Sequence, residues 1–421
     1  MGIARRMLVT SVVAAEALLL TACGAAAPEQ RMAEVDRQAV GLDDHPDAVA
    51  ALRSSAYRLG AEMLAVKPEA NQVTSPVSAL AALAMLRVGA QTTTADELDS
   101  VLGFPAEHRD AAMNALLAEW AQHDGDPGTV DDEEPPEEPL LHLANGLFVA
   151  EDLELADGFL EPLAQHYGVG VYPVDYSSSS ALEAMNAWVN QHTGGRIEEV
   201  PIKPSQDTVL NIINTVYFAA AWANPFDPTS TVEGTFTTGD GPVQADLMHT
   251  TLRIQYAAGD GWQGIDLPYN NGFVMRLVLP EEGRPPAMDQ AALADIDATF
   301  DEAPETMVDL TLPSWDHAYD LDLKKMLISM GLDEAMGLTP DYTGMGADLF
   351  VEGVAQAANI TVAEKGTVAS AVTQISMQES GAPETDVEIV FDRPFLYQIL
   401  HEETGMPMFL GTVMDPTVGE G

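Results

Sequence analysis

Glu364-Lys365-Gly366-Thr367-Val368-Ala369-Ser370-Ala371-Val372-Thr373-Gln374-Ile375-Ser376-Met377-Gln378-Glu379-Ser380-Gly381-Ala382-Pro383 is the stretch on which the reading of this chain turns. From Thr367 on, alternate residues run Thr, Ala, Ala, Thr, Ile, Met, and the intervening set runs Val, Ser, Val, Gln, Ser, Gln. Period-two alternation puts one set on each face of a β-strand, here a small or apolar face and a mostly polar one. Yet the stretch ends in Ser-Gly-Ala-Pro followed by Glu384, Thr385 and Asp386, a composition of exposed loops. Taken alone it reads most simply as a sheet strand and its turn. A loop written like a half-buried strand is the anomaly.

Residues 48–66 and 76–86 carry apolar side chains at three- and four-residue spacing and predict helices. Thr94, with Glu97 three residues on, reads as the N-cap of another helix. Residues 124–139 are dense in Asp, Glu, Pro and Gly and are expected to form a solvated, mobile loop. The Asp-Gly-Asp start of this loop lacks the remaining ligand spacing of an EF-hand, so no metal site is expected. Short β-branched or alternating runs at 141–150, 208–220, 272–280 and 308–312 predict strands, with helices at 180–191 and 321–330. Strands and helices follow one another without a βαβ rhythm, which indicates an α+β fold with large mixed or antiparallel sheets. No low-complexity linker divides the chain after about residue 47.

The chain has 421 residues, 46% of them apolar, enough for one large or two ordinary domains with a substantial core. Against 18 Lys and Arg stand 66 Asp and Glu, a net charge of −48 that argues against a nucleic-acid partner. Such a surface suits a secreted protein in salty or acid-tolerant surroundings, and genome composition accounts for it equally well. One cysteine excludes an intramolecular disulfide and a multi-Cys metal site. Arg5 and Arg6 followed by an apolar run over residues 7–20 read as an export signal, weakened by Glu16. Leu20-Thr21-Ala22-Cys23 resembles the lipobox of bacterial lipoproteins, which implies lipidation at Cys23. Residues 1–22 are then a signal peptide and residues 23–46 a tether. The expected location is the outer face of the bacterial cytoplasmic membrane or the cell envelope.

No catalytic constellation stands out in the sequence. There is no G-x-S-x-G, no H-E-x-x-H (His401-Glu402-Glu403 lacks the second histidine) and no glycine-rich nucleotide motif. The nine histidines are scattered singly, and in so acidic a chain no carboxylate pair stands out. No catalytic residue, metal or cofactor is expected.

The segment from Glu364 resembles the hinge and reactive-centre loop of the serpins, and further matches run in order through residues 47–421. Asn71 and Ser75-Pro76-Val77-Ser78 resemble the family's motif at the start of its second helix, followed by Gly89-Ala90, Thr94, Glu97 and Leu102-Gly103. Asn145-Gly146-Leu147-Phe148, Asn186-Ala187-Trp188-Val189, Thr193-Gly194-Gly195-Arg196-Ile197 and Asn214-Thr215-Val216-Tyr217-Phe218 with Trp222 and Phe226 are similar to successive family motifs. Leu267-Pro268-Tyr269, Leu279-Pro280, Leu312-Pro313, Asp392-Arg393-Pro394-Phe395, Phe409-Leu410-Gly411 and Asp415-Pro416 complete the set.

The resemblance implies one serpin-like domain with a large mixed central sheet, additional sheets and about nine helices. It also implies a suicide-substrate inhibitor of serine proteases, not an enzyme. Glu364, Gly366, Thr367, Ala369, Ser370 and Ala371 would be the hinge, within a hinge and loop region spanning residues 364–390. Ser75, Ser78, Asn214, Trp222 and Gln356 would lie where the sheet parts. The family interval places the reactive bond between Ser380 and Gly381, within the range Met377 to Ala382. Small or unbranched residues there imply an elastase-like or subtilisin-like target, with a chymotrypsin-like one as a further option. A monomer is expected, with no nucleic-acid partner and membrane contact through the lipid alone.

The chain departs from the family in four ways. Gln356 stands where a histidine is usual, and Val368 where a glutamate is usual; residues 124–139 look inserted, and the loop is a few residues longer than most. The first two departures favour an alternative, a serpin-fold carrier or binding module that does not inhibit. A lipid-anchored solute-binding protein fits the lipobox but not the ordered motifs.

Overall fold

A computed structural model describes residues 27–131, 134–367 and 385–419. Cys23, the signal segment, the hinge residues Ala369, Ser370 and Ala371, and the Ser380–Gly381 bond lie outside the described residues.

Eight α-helices occur among the described residues: Pro46–Leu64 (α1), Pro76–Gly89 (α2), Thr92–Leu102 (α3), Arg109–Trp120 (α4), Leu160–Pro162 (α5), Ser180–His192 (α6), Gln290–Asp301 (α7) and Lys324–Ser329 (α8). Helix α2 starts as its sequence dictates: the Ser75 side chain accepts the Ser78 amide, and Pro76 fills the first helical position. Nearly all of α2 is buried, in one hydrophobic cluster with residues of both sheets.

Helix α3 begins earlier than expected, and Thr94 is not its N-cap. The Thr94 hydroxyl donates to Glu334 and accepts the Asp341 amide, while Glu97 accepts the amides of Glu334 and Ala335. Partners some 240 residues away in sequence displace the local cap. The helix expected over 321–330 is confined to α8, because Leu321 and Asp322 end an alternating strand whose Trp315, His317, Tyr319 and Leu321 point inward.

The strands are Gln72–Thr74 (β1), Leu140–Ala150 (β2), Tyr172–Val174 (β3), Leu210–Ala221 (β4), Val232–Thr238 (β5), Gly241–Gly259 (β6), Trp262–Pro268 (β7) and Phe273–Pro280 (β8). They continue with Glu305–Pro313 (β9), Trp315–Asp322 (β10), Val351–Ala363 (β11), Gly366–Thr367 (β12), Val387–Val390 (β13), Phe395–His401 (β14) and Met406–Val413 (β15). A six-stranded mixed sheet runs β10-β11-β12-β4-β2-β3. Among the described residues the remaining strands join in a second, nine-stranded sheet, because the 19-residue β6 pairs with β5, β7 and β9 along its length.

Two segments are less free than their composition indicated. In the acidic stretch, Pro127 is buried, Val130 packs against Tyr217 and Ala219, and the Pro136 carbonyl accepts the Ala221 amide at 3.1 Å. The stretch is anchored on the outer face of the six-stranded sheet by the few apolar groups it contains. Residues 27–44, within the expected tether, also lie on the body. Arg31 exchanges backbone hydrogen bonds with Val171, and Arg37 donates to the buried Asn114 side chain at 2.7 Å.

Candidate functional site

The site is the seam between β11 and β4. These strands pair in parallel from Val351 opposite Leu210 to Ala358 opposite Val216. Beyond that point they separate, and β12 lies between them, antiparallel to both. Thr367 faces Val362 on one side and Ala220 on the other; Gly366 faces Ala363 and Ala221. Gly366 and Thr367, in the expected hinge, thus form a short strand between β11 and β4.

At this upper end the hinge is clamped by backbone bonds and one aromatic pair. The Trp222 indole donates to the Ala363 carbonyl at 2.9 Å, and the Trp222 amide donates to the Lys365 carbonyl at 2.9 Å. The indole stacks on Tyr269 with ring centres 4.2 Å apart, and the Tyr269 and Thr367 hydroxyls share a hydrogen bond. Burial pushes the Tyr269 hydroxyl pKa far up, so it stays protonated. The Glu364 carbonyl accepts the Phe226 amide at 2.8 Å, and its buried carboxylate accepts the Thr231 hydroxyl at 2.7 Å. Gly366 cannot carry a side chain here: a Cβ would sit 2.1 Å from the Ala220 carbonyl oxygen.

Lower down, the seam is closed by neutral amides. Gln356 of β11 lies opposite Asn214 of β4 and donates to its side-chain oxygen at 2.6 Å. The same Gln356 nitrogen donates to the Ser75 carbonyl, and its oxygen accepts the Ser75 amide, both at 2.8 Å. Asn214 in turn donates to Ser78 Oγ and, at 2.6 Å, to Asn145 of β2. Gln356 therefore ties β11 to β4 and anchors both to the start of α2. Where a histidine would add a titratable group, this cluster has none.

Ser75, Ser78, Asn214 and Gln356 thus form one cluster. Trp222 belongs to a second, at the hinge end with Glu364, Gly366 and Thr367. Asn145, Tyr269 and Thr231 were not singled out from the sequence. Asn145 and Tyr269 lie in motifs quoted above, yet nothing local to either foretells its partner across the sheet. Among the described residues no group of three or more His, Cys, Asp or Glu side chains could hold a metal ion, and no helix is long and apolar enough to cross a membrane.

Two neighbouring strands of a mixed sheet are thus parted at one end by the first residues of a segment patterned like a strand. The family model described as Serpin (serine protease inhibitor) matches residues 50–416, and the chain belongs to the serpin family. It is 30% identical over 355 residues to an uncharacterised serpin-like protein of Thermococcus kodakarensis, covering 82% of this chain and 80% of that one. It is 31% identical over 375 residues to the thyroxine-binding globulin of Ovis aries, covering 86% and 88%. In fold it matches the native state of the thermophilic serpin tengpin with a TM-score of 0.80 at 23% identity, over 92% of this chain and all of that one. These relations place the chain in an inhibitor family and not among enzymes.

Proposed function

We propose that this serpin is a suicide-substrate inhibitor of extracellular serine proteases, with Ser380–Gly381 as the bond attacked. The protease serine adds to the Ser380 carbonyl carbon, the bond to the Gly381 nitrogen breaks, and that amine leaves with a proton. An ester then joins Ser380 to the protease. Water would release it; inhibition requires that the freed N-terminal part of the loop enter the seam first, carrying the protease with it.

The observation that carries this reading is the register of β12. Were it continued residue by residue from Thr367, Ala369 would come between Phe218 and Ile360, and Ala371 between Val216 and Ala358. Thr373 would fall between Asn214 and Gln356. The first entrants are small, as a strand passing between two closed neighbours requires. The entering strand must break the Gln356–Asn214 bond, and Thr373 brings a hydroxyl, both donor and acceptor, to the gap between the two amides. A one-residue slip would bring Val372 or Gln374 there and turn the polar set inward.

The carrier alternative draws on Val368, on Gln356 and on a relative whose name records thyroxine binding. Incubation with pancreatic elastase and with subtilisin separates the readings. A covalent complex surviving SDS, with a released C-terminal peptide beginning at Gly381, is expected. Clean cleavage without complex overturns inhibition, and a peptide beginning outside residues 378–383 overturns the assigned bond. The reading includes lipid attachment at Cys23 on the outer membrane face. Metabolic labelling with a fatty acid, abolished by Cys23→Ser, tests it.

A further inference from the structure

Four of the nine histidines meet at the root of the acidic insertion. His123 packs near His401, their ring centres 5.9 Å apart. Asp124, the next residue, places a carboxylate oxygen 2.6 Å from His142 Nδ1, and His142 Nε2 lies 2.8 Å from His192 Nδ1. The His142 and His192 rings are nearly parallel, with centres 5.1 Å apart, and Trp188 lies 4.4 Å from His192. This Asp–His–His relay joins three elements: the insertion, β2 and the last residue of α6. Helix α6 covers the seam, since its Met185, Trp188 and Val189 share one apolar cluster with Ile213 of β4 and with Ala355 and Ala357 of β11. A strand entering there must displace it.

We propose that Asp124, His142 and His192 form an acid-sensitive latch that holds α6 and the insertion over the seam, and that acidification releases it and speeds strand entry. Two ring nitrogens 2.8 Å apart hold one proton between them. Charging both rings would set N–H against N–H across this contact.

The other groups facing the relay do not reverse this. Tyr217 of β4 lies across from His142, and the Arg196 guanidinium lies over the Tyr217 ring at 5.8 Å. The Asp126 carboxylate is turned to the Gly128 amide of its own loop.

Burial, with His142 alongside, lowers the His192 pKa to about 4. Its value when exposed is about 6.5. The closed latch therefore binds fewer protons than the open one. Its holding is complete above about pH 6.5 and declines as pH falls toward 4.

Hydrogen–deuterium exchange on the intact protein reads the latch without any protease. After correction for intrinsic rates, peptides covering residues 180–195 are expected to exchange about tenfold faster or more at pH 5.0 than at pH 7.5. Those from α1 should not change. In His192→Gln and in His142→Gln the difference should vanish, since an amide bonds without titrating. Unchanged protection of α6 in the wild type at pH 5.0 overturns the latch. So does the same acid acceleration in both glutamine variants. Should a variant not fold, quenching of tryptophan fluorescence in the wild type by the charged His192 ring supplies the titration directly, and no quenching between pH 7 and 4 overturns the assignment.

The coupling to strand entry rests on the inhibitory reading. It is followed as the rate at which loop-nicked protein gains heat resistance, expected to rise by a similar factor at pH 5.0. Acid opening with no change in that rate overturns the coupling. No gain of heat resistance at either pH overturns the inhibitory reading instead.

Discussion

One seam is closed by two different chemistries. At its upper end Trp222, Tyr269 and Thr367 surround strands already apart, held by stacking and by bonds to the hinge backbone. At its middle, Gln356 and Asn214 hold the strands together through a polar network with α2. If the loop inserts as proposed, the upper cluster stabilises a strand that has begun to enter, while the middle cluster resists its continuing. On that reading the native state is poised by opposition between neighbouring sites rather than by uniform weakness along the sheet.

Substitutions that break this division should differ in size. The largest effect is expected from Thr367→Arg or Ala369→Arg, which place a long charged group among the first entrants. Covalent complex with elastase should fall to near zero on a denaturing gel while cleavage continues; an unchanged yield would falsify the insertion order. Next, Trp222→Ala removes the stacked ring and the bond to Ala363, at about 3–5 kcal/mol of native stability. A shift of the urea midpoint without a change in slope would report it.

Gln356→Ala leaves the Ser75 amide and Asn214 short of partners, at about 1–3 kcal/mol. Because this weakens the barrier cluster, spontaneous conversion to a heat-resistant form should accelerate. Since Gln356, Asn214, Asn145, Ser75 and Ser78 do not titrate, the loss should be the same at pH 5 and pH 8. The smallest effect is expected from Thr373→Val, which brings methyl groups to the two amides only after insertion. The cleaved form should lose about 1 kcal/mol, with the native form unchanged. A loss in both forms would show that Thr373 acts elsewhere.

How much of this was legible beforehand follows from how far apart the partners lie in sequence. Gly366 and Thr367 form a strand where the alternation begins, and the rest of that pattern lies outside the described residues. Helices α1, α2 and α6 were visible because a buried face repeats every three or four residues. Ser75 and Gln356, by contrast, are 281 residues apart, and no period connects them. They became candidates only through ordered motifs, which indicated the neighbourhood but not the bonds. Reading by composition failed where a few residues outweigh many. Val130 and Pro136 anchor a stretch that is otherwise acidic, and Arg31 and Arg37 anchor one that reads as a tether.

The turn at Glu364 and Lys365 has a kinetic consequence. Ala363 opposite Gly366 and Val362 opposite Thr367 make β11 and β12 a hairpin with a two-residue connection. A hairpin's slow part is nucleation, in which chain entropy is lost before any ladder bond is gained. On the inhibitory reading proposed above, that loss has been incurred before a protease arrives. Lengthening the hairpin would then be zipper-like, each residue bonding next to one already placed. Its speed would be governed by how quickly β11 and β4 separate ahead of the growing end, and not by any search of the cleaved loop for its place.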